Sequence, residues 1–201
     1  ITRHPILTGH HPGCVERRRG LNGVCEYDGK LSLVYYRQRF LVYARANTKP
    51  AGGGRFVQVA TSLTAHPASG FGPFVLLDIQ GYDVHGPGNV YLSCVKECPF
   101  GISMLLGLFA VNLGGTKAQD AALQGNSDGK SFVGLALSCN GQAWSRLVEI
   151  APSKGARGRT LDHPVDGLLR EGVGVSLLIH RDVYWIAPTA PTTSRLVRHR
   201  L

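Results

Sequence analysis

"KLSLVYYRQRFLVYARAN", residues 30–47, decides the fold. Apolar and polar residues alternate in "KLSLVYY". Three polar residues, "RQR", interrupt, and "FLVYARAN" resumes the apolar run. A period of two marks a half-buried strand, because successive side chains point to opposite faces of a sheet. A short polar break between two such runs marks a tight turn. The stretch is therefore expected to fold as an antiparallel hairpin.

The pattern continues outward from this hairpin. "KPAGGG" breaks the chain, "RFVQVATSL" reads as a third strand and "PFVLLDIQG" as a fourth. Four short strands in succession make an antiparallel meander. The same order returns in "NVYLSCV", the turn "KECPFG", "ISMLLGLFAVN", a third run in "AALQGNSDGKSF", and a close near "ALSCNG" or "SRLVEI". A third group opens at "VDGLLREG". It continues through "VGVSLLIHRDV", "YWIAP", a Pro/Thr linker and "SRLVRHRL". The unit starts correspond at Asp28, Asn89 and Asp166. Repetition of four-stranded antiparallel sheets is the signature of a β-propeller, in which each blade hides its faces against its neighbours.

The expected fold is thus all-β: a β-propeller of four-stranded antiparallel blades at about 28–88, 89–160 and 161–201. Residues 1–27 form an N-terminal segment expected to supply part of a preceding blade. A β-sandwich is the alternative that the pattern alone permits. Propellers close with about four to eight blades. The remaining blades are expected before Ile1 or from other subunits, or are absent.

Composition supports a folded chain and removes several function classes. Only 17% of residues are charged, which is not a disordered composition. The 26 glycines suit a chain with many tight turns. No apolar run approaches the roughly 20 residues of a membrane-spanning helix. The net charge of +9 gathers at the two ends, in "RHPILTGHHPGCVERRRG" and "SRLVRHRL". No recognition helix, zinc-finger spacing or RNA-binding aromatic motif accompanies it, so no nucleic-acid partner is expected. The basic termini read as solvated tails or as surfaces for protein partners. The first 20 residues lack the apolar core of a signal peptide. Five cysteines at irregular spacing do not form a disulfide framework, and Cys94 and Cys98 are expected as buried thiols. No zinc pattern is present, the spacing of His10, His11 and His163 is uninformative, and no cofactor or metal is expected.

The innermost strand of each propeller blade lines the central channel, and its first residues share one rim. Asp28, Asn89, and Asp162 or Asp166 in "LDHPVDGLL" therefore converge if the repeat holds. Carboxylates and amides converging on a pocket suit polyols, whose hydroxyls need donors and acceptors in fixed directions. Two carboxyls, one protonated and one ionised, are what glycosidic cleavage needs. The plainer reading is that Asp28-Gly29 and Asp166-Gly167 are turn signals. The ends of the second strands add Arg45, Asn47, Asn112, His180 and Arg181 to the same rim. Salt bridges between blades, such as Arg45 or Arg181 with Asp182, are the competing structural role. Trp144, Trp185, Tyr27 and Tyr91 could stack on a sugar ring, although such aromatics more often pack in cores.

Taken together, "CEYDGKLSLVYYRQRFLVYARAN", "GGRFVQVATS", "GNVYLSCV", "NSDGKSF" and "DHPVDGLL" with "HRDV" resemble the five-bladed β-propeller glycosidase superfamily. That group includes β-fructosidases, arabinanases and β-xylosidases. The resemblance covers residues 20–187 as a pattern of blades. It implies an acidic residue on each of three successive blades: a base or nucleophile, a tuning carboxylate and an acid. Asp28 resembles the first, and Asp162 or Asp166 the last. Asn89 departs from the pattern, since it stands where a carboxylate belongs; Asp83 and Glu97 are the candidate substitutes. His163, Arg45, His180 and Arg181 would join Asn89 in holding the sugar. "NSDGKSF" resembles the Asp-box turn of sialidases, which implies that Asp128 caps a hairpin with Phe132 packed beneath. Two functions follow as expectations: a glycoside hydrolase-like propeller acting on carbohydrate, or a non-catalytic carbohydrate-binding or scaffold subunit.

Overall fold

The computed structural model of the chain describes residues 6–17, 24–25, 27, 31–48, 54–86, 88–98, 102–112, 131–152, 163–164, 178–179, 182–190 and 193–200. The expected hairpin is present. Strands β1 (Ser32–Tyr36) and β2 (Arg39–Asn47) pair antiparallel, with Tyr36 opposite Arg39. The turn between them puts Arg37 at φ 47° and Gln38 at φ 61°. Two consecutive left-handed residues are the mark of a type I′ turn, whose twist matches that of the flanking strands. Strands β3 (Arg55–Thr61) and β4 (Val75–Leu76) complete a four-stranded antiparallel sheet in the order β1-β2-β3-β4.

The run "PFVLLDIQG" was expected to be one strand, and here the structure differs. Only Val75–Leu76 stay on β3. The chain then leaves the sheet, and β5 (Asp78–Ile79) pairs in parallel with β9 (Ala143–Trp144) from the second unit. That unit is again a four-stranded antiparallel meander, in the order β6 (Asn89–Glu97), β7 (Leu105–Asn112), β8 (Ser131–Ser138) and β10 (Val148–Pro152). Its third strand, "SFVGLALS", starts with the last two residues of the expected run "AALQGNSDGKSF", of which 121–130 lie outside the described residues, and "SRLVEI", not "ALSCNG", leads into its fourth. The third sheet has a different build. Short strands β11 (His163–Pro164) and β12 (Leu178–Ile179) both pair with β13 (Asp182–Ala190), which also pairs with β14 (Thr193–Arg200). The expected linker after "YWIAP" is mostly strand, since β13 runs on to Ala190. Among the described residues the only helical turn is a 3-10 turn at Pro67–Ser69. The chain is an all-β protein of four-stranded antiparallel blades.

The first two sheets stack face to face, with β1 and β3 lying against β6. Their shared core joins Tyr36, Leu41, Tyr43, Phe56 and Val57 to Val90, Val95, Leu105, Phe109 and Trp144, all buried. Several polar atoms in this interface are matched. Tyr36 Oη donates to Ser103 O at 2.7 Å, Tyr43 Oη donates to Gly141 O at 3.0 Å, and Val95 N–H donates to Ser32 Oγ at 3.0 Å. A buried hydroxyl or amide without such a partner would cost about 1–3 kcal/mol.

The turn before β9 closes on itself. Asn140 Oδ1 accepts the N–H groups of Gln142 at 2.9 Å and Ala143 at 2.8 Å, and Ser138 Oγ accepts that of Gly141 at 2.8 Å. Trp144 packs beneath, edge-on to Phe109 at 5.4 Å, and its Nε1–H donates to Gly141 O at 3.1 Å. A capped hairpin with a buried aromatic was expected at Asp128 and Phe132. A capped turn over a buried aromatic lies at Asn140 and Trp144; Phe132 is buried, and Asp128 lies outside the described residues.

The opposite face of the first sheet carries Val42, Ala44, Ala60 and Phe74, and the N-terminal segment covers it with Leu7, Cys14 and Tyr27. A Cys14–Cys25 disulfide staples that segment, with the two Cα atoms 5.9 Å apart. This bridge was not expected. Cys94 and Cys98 are buried and are not disulfide-bonded. Closing so short a loop restricts the unfolded chain, and loops of this size are worth about 2–4 kcal/mol. Replacing both Cys14 and Cys25 by Ser should lower unfolding stability by that amount, measured by urea titration without reductant.

Candidate carbohydrate-binding rim

Strand direction gathers the polar residues. Because β1 and β2 run antiparallel, the end of β2 and the start of β3 lie at the rim where β1 begins, and Asn47 pairs with Arg55 there. In the second sheet, Asn89 at the start of β6 pairs with Asn112 at the end of β7, and Asn112 with Ser131. Arg55 N–H donates to Asn89 Oδ1 at 2.8 Å, so the two sheets meet at one rim.

The side chains beneath this rim are polar and buried. Arg45 is 5% exposed, Asn47 3%, Asn89 4% and Gln58 1%. A guanidinium so placed needs hydrogen-bond partners to offset the loss of water. Arg45 Nε donates to Asn47 Oδ1 at 3.2 Å. Asn47 Nδ2 donates in turn to a carboxylate oxygen of Glu16. Gln58 Nε2 donates to Arg45 O at 2.8 Å, and its Oε1 accepts Val15 N–H at 2.9 Å.

Glu16 reaches the rim on the N-terminal segment. Asn47 N–H donates to Val15 O at 3.0 Å and Arg17 N–H donates to Asn47 O at 2.9 Å, so residues 15–17 run beside the end of β2, beyond the point where β1 stops covering it. Sequence reasoning passed over Glu16. The signal was there, because it is the one acidic residue before Cys25, in an otherwise basic stretch.

Of the sequence candidates, Arg45 and Asn89 come together at this rim. His163 lies in β11 opposite Ile186, and β11 rests against β6 and β7. Asp28, Asp162, Asp166, His180 and Arg181 lie outside the described residues. Of the two substitute carboxylates, Glu97 is corrected by position. Asp83 is exposed in the turn after β5, where its Oδ1 accepts His85 N–H at 2.9 Å. Glu97 is exposed at the far end of β6, about 25 Å from Asn89 by strand rise. Glu97 therefore stands away from the rim. Trp144 is core and not a sugar platform, and Tyr27 Oη donates to Thr8 O at 2.9 Å. His11 Nε2–H donates to Gly72 O at 2.9 Å and the ring packs edge-on to Phe74. Among the described residues no three His, Cys, Asp or Glu side chains gather as a metal site would require, and no helix is long and apolar enough to cross a membrane.

The fold and the rim define an all-β chain of stacked blades with a hydrogen-bonded polar end. No known protein family's profile matches it, and no curated protein does. Among solved structures it is similar to an N-acetylgalactosamine deacetylase from F. plautii, determined in complex with blood group B trisaccharide. That similarity has 16% identity and a TM-score of 0.43 over 84% of this chain and 39% of that one. It is also similar to a mutant α-L-arabinofuranosidase from Fusarium graminearum in complex with an iminosugar inhibitor, at 12% identity and a TM-score of 0.43, over 86% of this chain and 45% of that one. The chain spans less than half the length of either protein.

Proposed function

We propose that this chain is a carbohydrate-acting propeller, with the sugar held at the rim where β1 and β6 begin. The observation that carries the reading is the shell of Arg45, Asn47 and Asn89 at the ends of two stacked blades. Each member is buried and hydrogen-bonded. A shell locked in this way orients the residues above it, which is what a site for directional sugar hydroxyls needs. Asp28 lies four residues before Ser32, the start of β1, and is the proposed base or nucleophile. Asp162 or Asp166, flanking β11, is the proposed acid. His163, His180 and Arg181 complete the binding groups. The partner is carbohydrate.

A second reading, a binder without turnover, is favoured by Asn89. It carries an amide where the resemblance implies a carboxylate, and that amide's oxygen accepts the Arg55 N–H. An amide cannot act as a general acid or base near pH 7.

The test is turnover of a panel of aryl α- and β-glycosides by the full-length protein, with Asp28→Asn and Asp162→Asn beside it. Loss of one acid–base group removes about 10²–10⁴-fold in rate. A drop of that size in both variants supports the enzyme reading. Turnover unchanged in both removes these residues from catalysis. Sugar binding without any turnover establishes the second reading.

A further inference from the structure

The geometry points to Glu16 as a sugar-binding residue of the rim, delivered by the disulfide-stapled N-terminal segment. This rests on the carbohydrate reading above and names a group that the blade pattern does not supply.

Glu16 is held from three sides. The backbone of residues 15–17 exchanges hydrogen bonds with Asn47 on both flanks, at 3.0 Å and 2.9 Å. The Val15 N–H that precedes it donates to Gln58 Oε1, so the segment is anchored on a fully buried side chain. Cys14, one residue further back, is bonded to Cys25, and Gln58 Nε2 lies 3.5 Å from its sulfur. The carboxylate itself is oriented by the Arg45–Asn47 relay, in which a buried guanidinium donates to the amide and the amide donates to Glu16.

The Glu16 side chain is only half-buried, unlike the three residues behind it. An ionised carboxylate has about four acceptor sites, so it can serve several donors at once, and its bonds to hydroxyls are charge-assisted. The register Asn47–Arg55 and the Arg55–Asn89 bond put it at the same rim as Asn89. The rim thus acquires a fixed carboxylate from outside the blades, beside the blade position that lacks one. Glu16 is assigned to binding sugar hydroxyls.

The experiment measures affinity of the full-length protein for the best-bound member of a panel of arabinofuranosyl, xylosyl, galactosyl and N-acetylgalactosaminyl aryl glycosides. Wild type is compared with Glu16→Gln, and with Arg17→Ala as a neighbouring control. Removing the charge should weaken binding about ten- to a hundredfold, with the melting temperature little changed and Arg17→Ala near wild type. In the unsubstituted protein, saturating sugar should protect Glu16 from carbodiimide coupling, read by peptide mass; this reading stands even if Glu16→Gln does not fold. Wild-type affinity in Glu16→Gln, or equal coupling with and without sugar, overturns the assignment while the carbohydrate reading stands. Absence of binding by the wild-type protein across the whole panel overturns both.

Discussion

Trp144→Ala should destabilise the protein by about 3–5 kcal/mol, the range for removing a large aromatic from a packed core. Trp144 is 3% exposed. It lies edge-on to Phe109 of the second sheet and to Tyr43 of the first, with ring centroids 5.4 Å and 6.1 Å away. Its indole N–H donates to Gly141 O, and its backbone belongs to the β5–β9 pair. One truncation therefore opens a void at the junction of both sheets and removes a hydrogen bond inside it. Urea unfolding gives the number. For a chain of this length the melting temperature should fall on the order of 10 °C. Val148→Ala, at a site 58% exposed, should stay within about 0.5 kcal/mol of wild type. A loss below about 1 kcal/mol for Trp144→Ala would mean that the two sheets do not share the core described here.

Alkaline solution should unfold the protein more steeply than its neutral stability suggests. The Tyr43 phenol is fully buried, and burial, reinforced by the neighbouring Tyr36, holds its pKa far above the usual value near 10. Tyr82 is raised in the same sense by burial and by Asp83. The sign follows from proton counting. Below about pH 9 both states keep the phenolic proton and pH has no leverage. Above about pH 10 the unfolded chain releases a proton that the folded one retains, so stability falls as pH rises. Tyr43 alone contributes a slope of about 1.4 kcal/mol per pH unit. Tyr82, stacked on Phe56 but only partly buried, adds less. Tyr43→Phe loses the bond to Gly141 O and should cost about 1 kcal/mol at pH 7. It should then gain on wild type as pH rises past 10. Urea midpoints from pH 7 to 11.5 test this, and parallel alkaline slopes for the two proteins would exclude Tyr43 as the origin.

Local signals carried most of the fold. The period-two runs at 30–47 and 89–112 found their strands, and the polar break "RQR" became a left-handed turn at Arg37 and Gln38. What failed was long-range. Nothing in "PFVLLDIQG" distinguishes two residues that stay on β3 from two that cross to Ala143–Trp144, because both are short apolar pairs and the choice is made by a distant partner. The Cys14–Cys25 bridge was illegible for the same reason, since five cysteines allow many pairings. At the rim, register alone brought Arg45 and Asn89 together. Their deep burial was not legible, because it depends on Gln58 and on a segment that joins β2 from outside the meander.

The parallel β5–β9 pair bears on how the molecule is assembled. In a stack of independent repeats, each unit gains stability on its own and then from its neighbour. Here the chain leaving the first sheet is tied into the closing turn of the second, so the parallel pair that joins them forms only when both sheets are in place. Halting synthesis after the first meander would leave a nascent piece with a loose outer edge. Unfolding should start from both sheets together, and a single cooperative transition should span them.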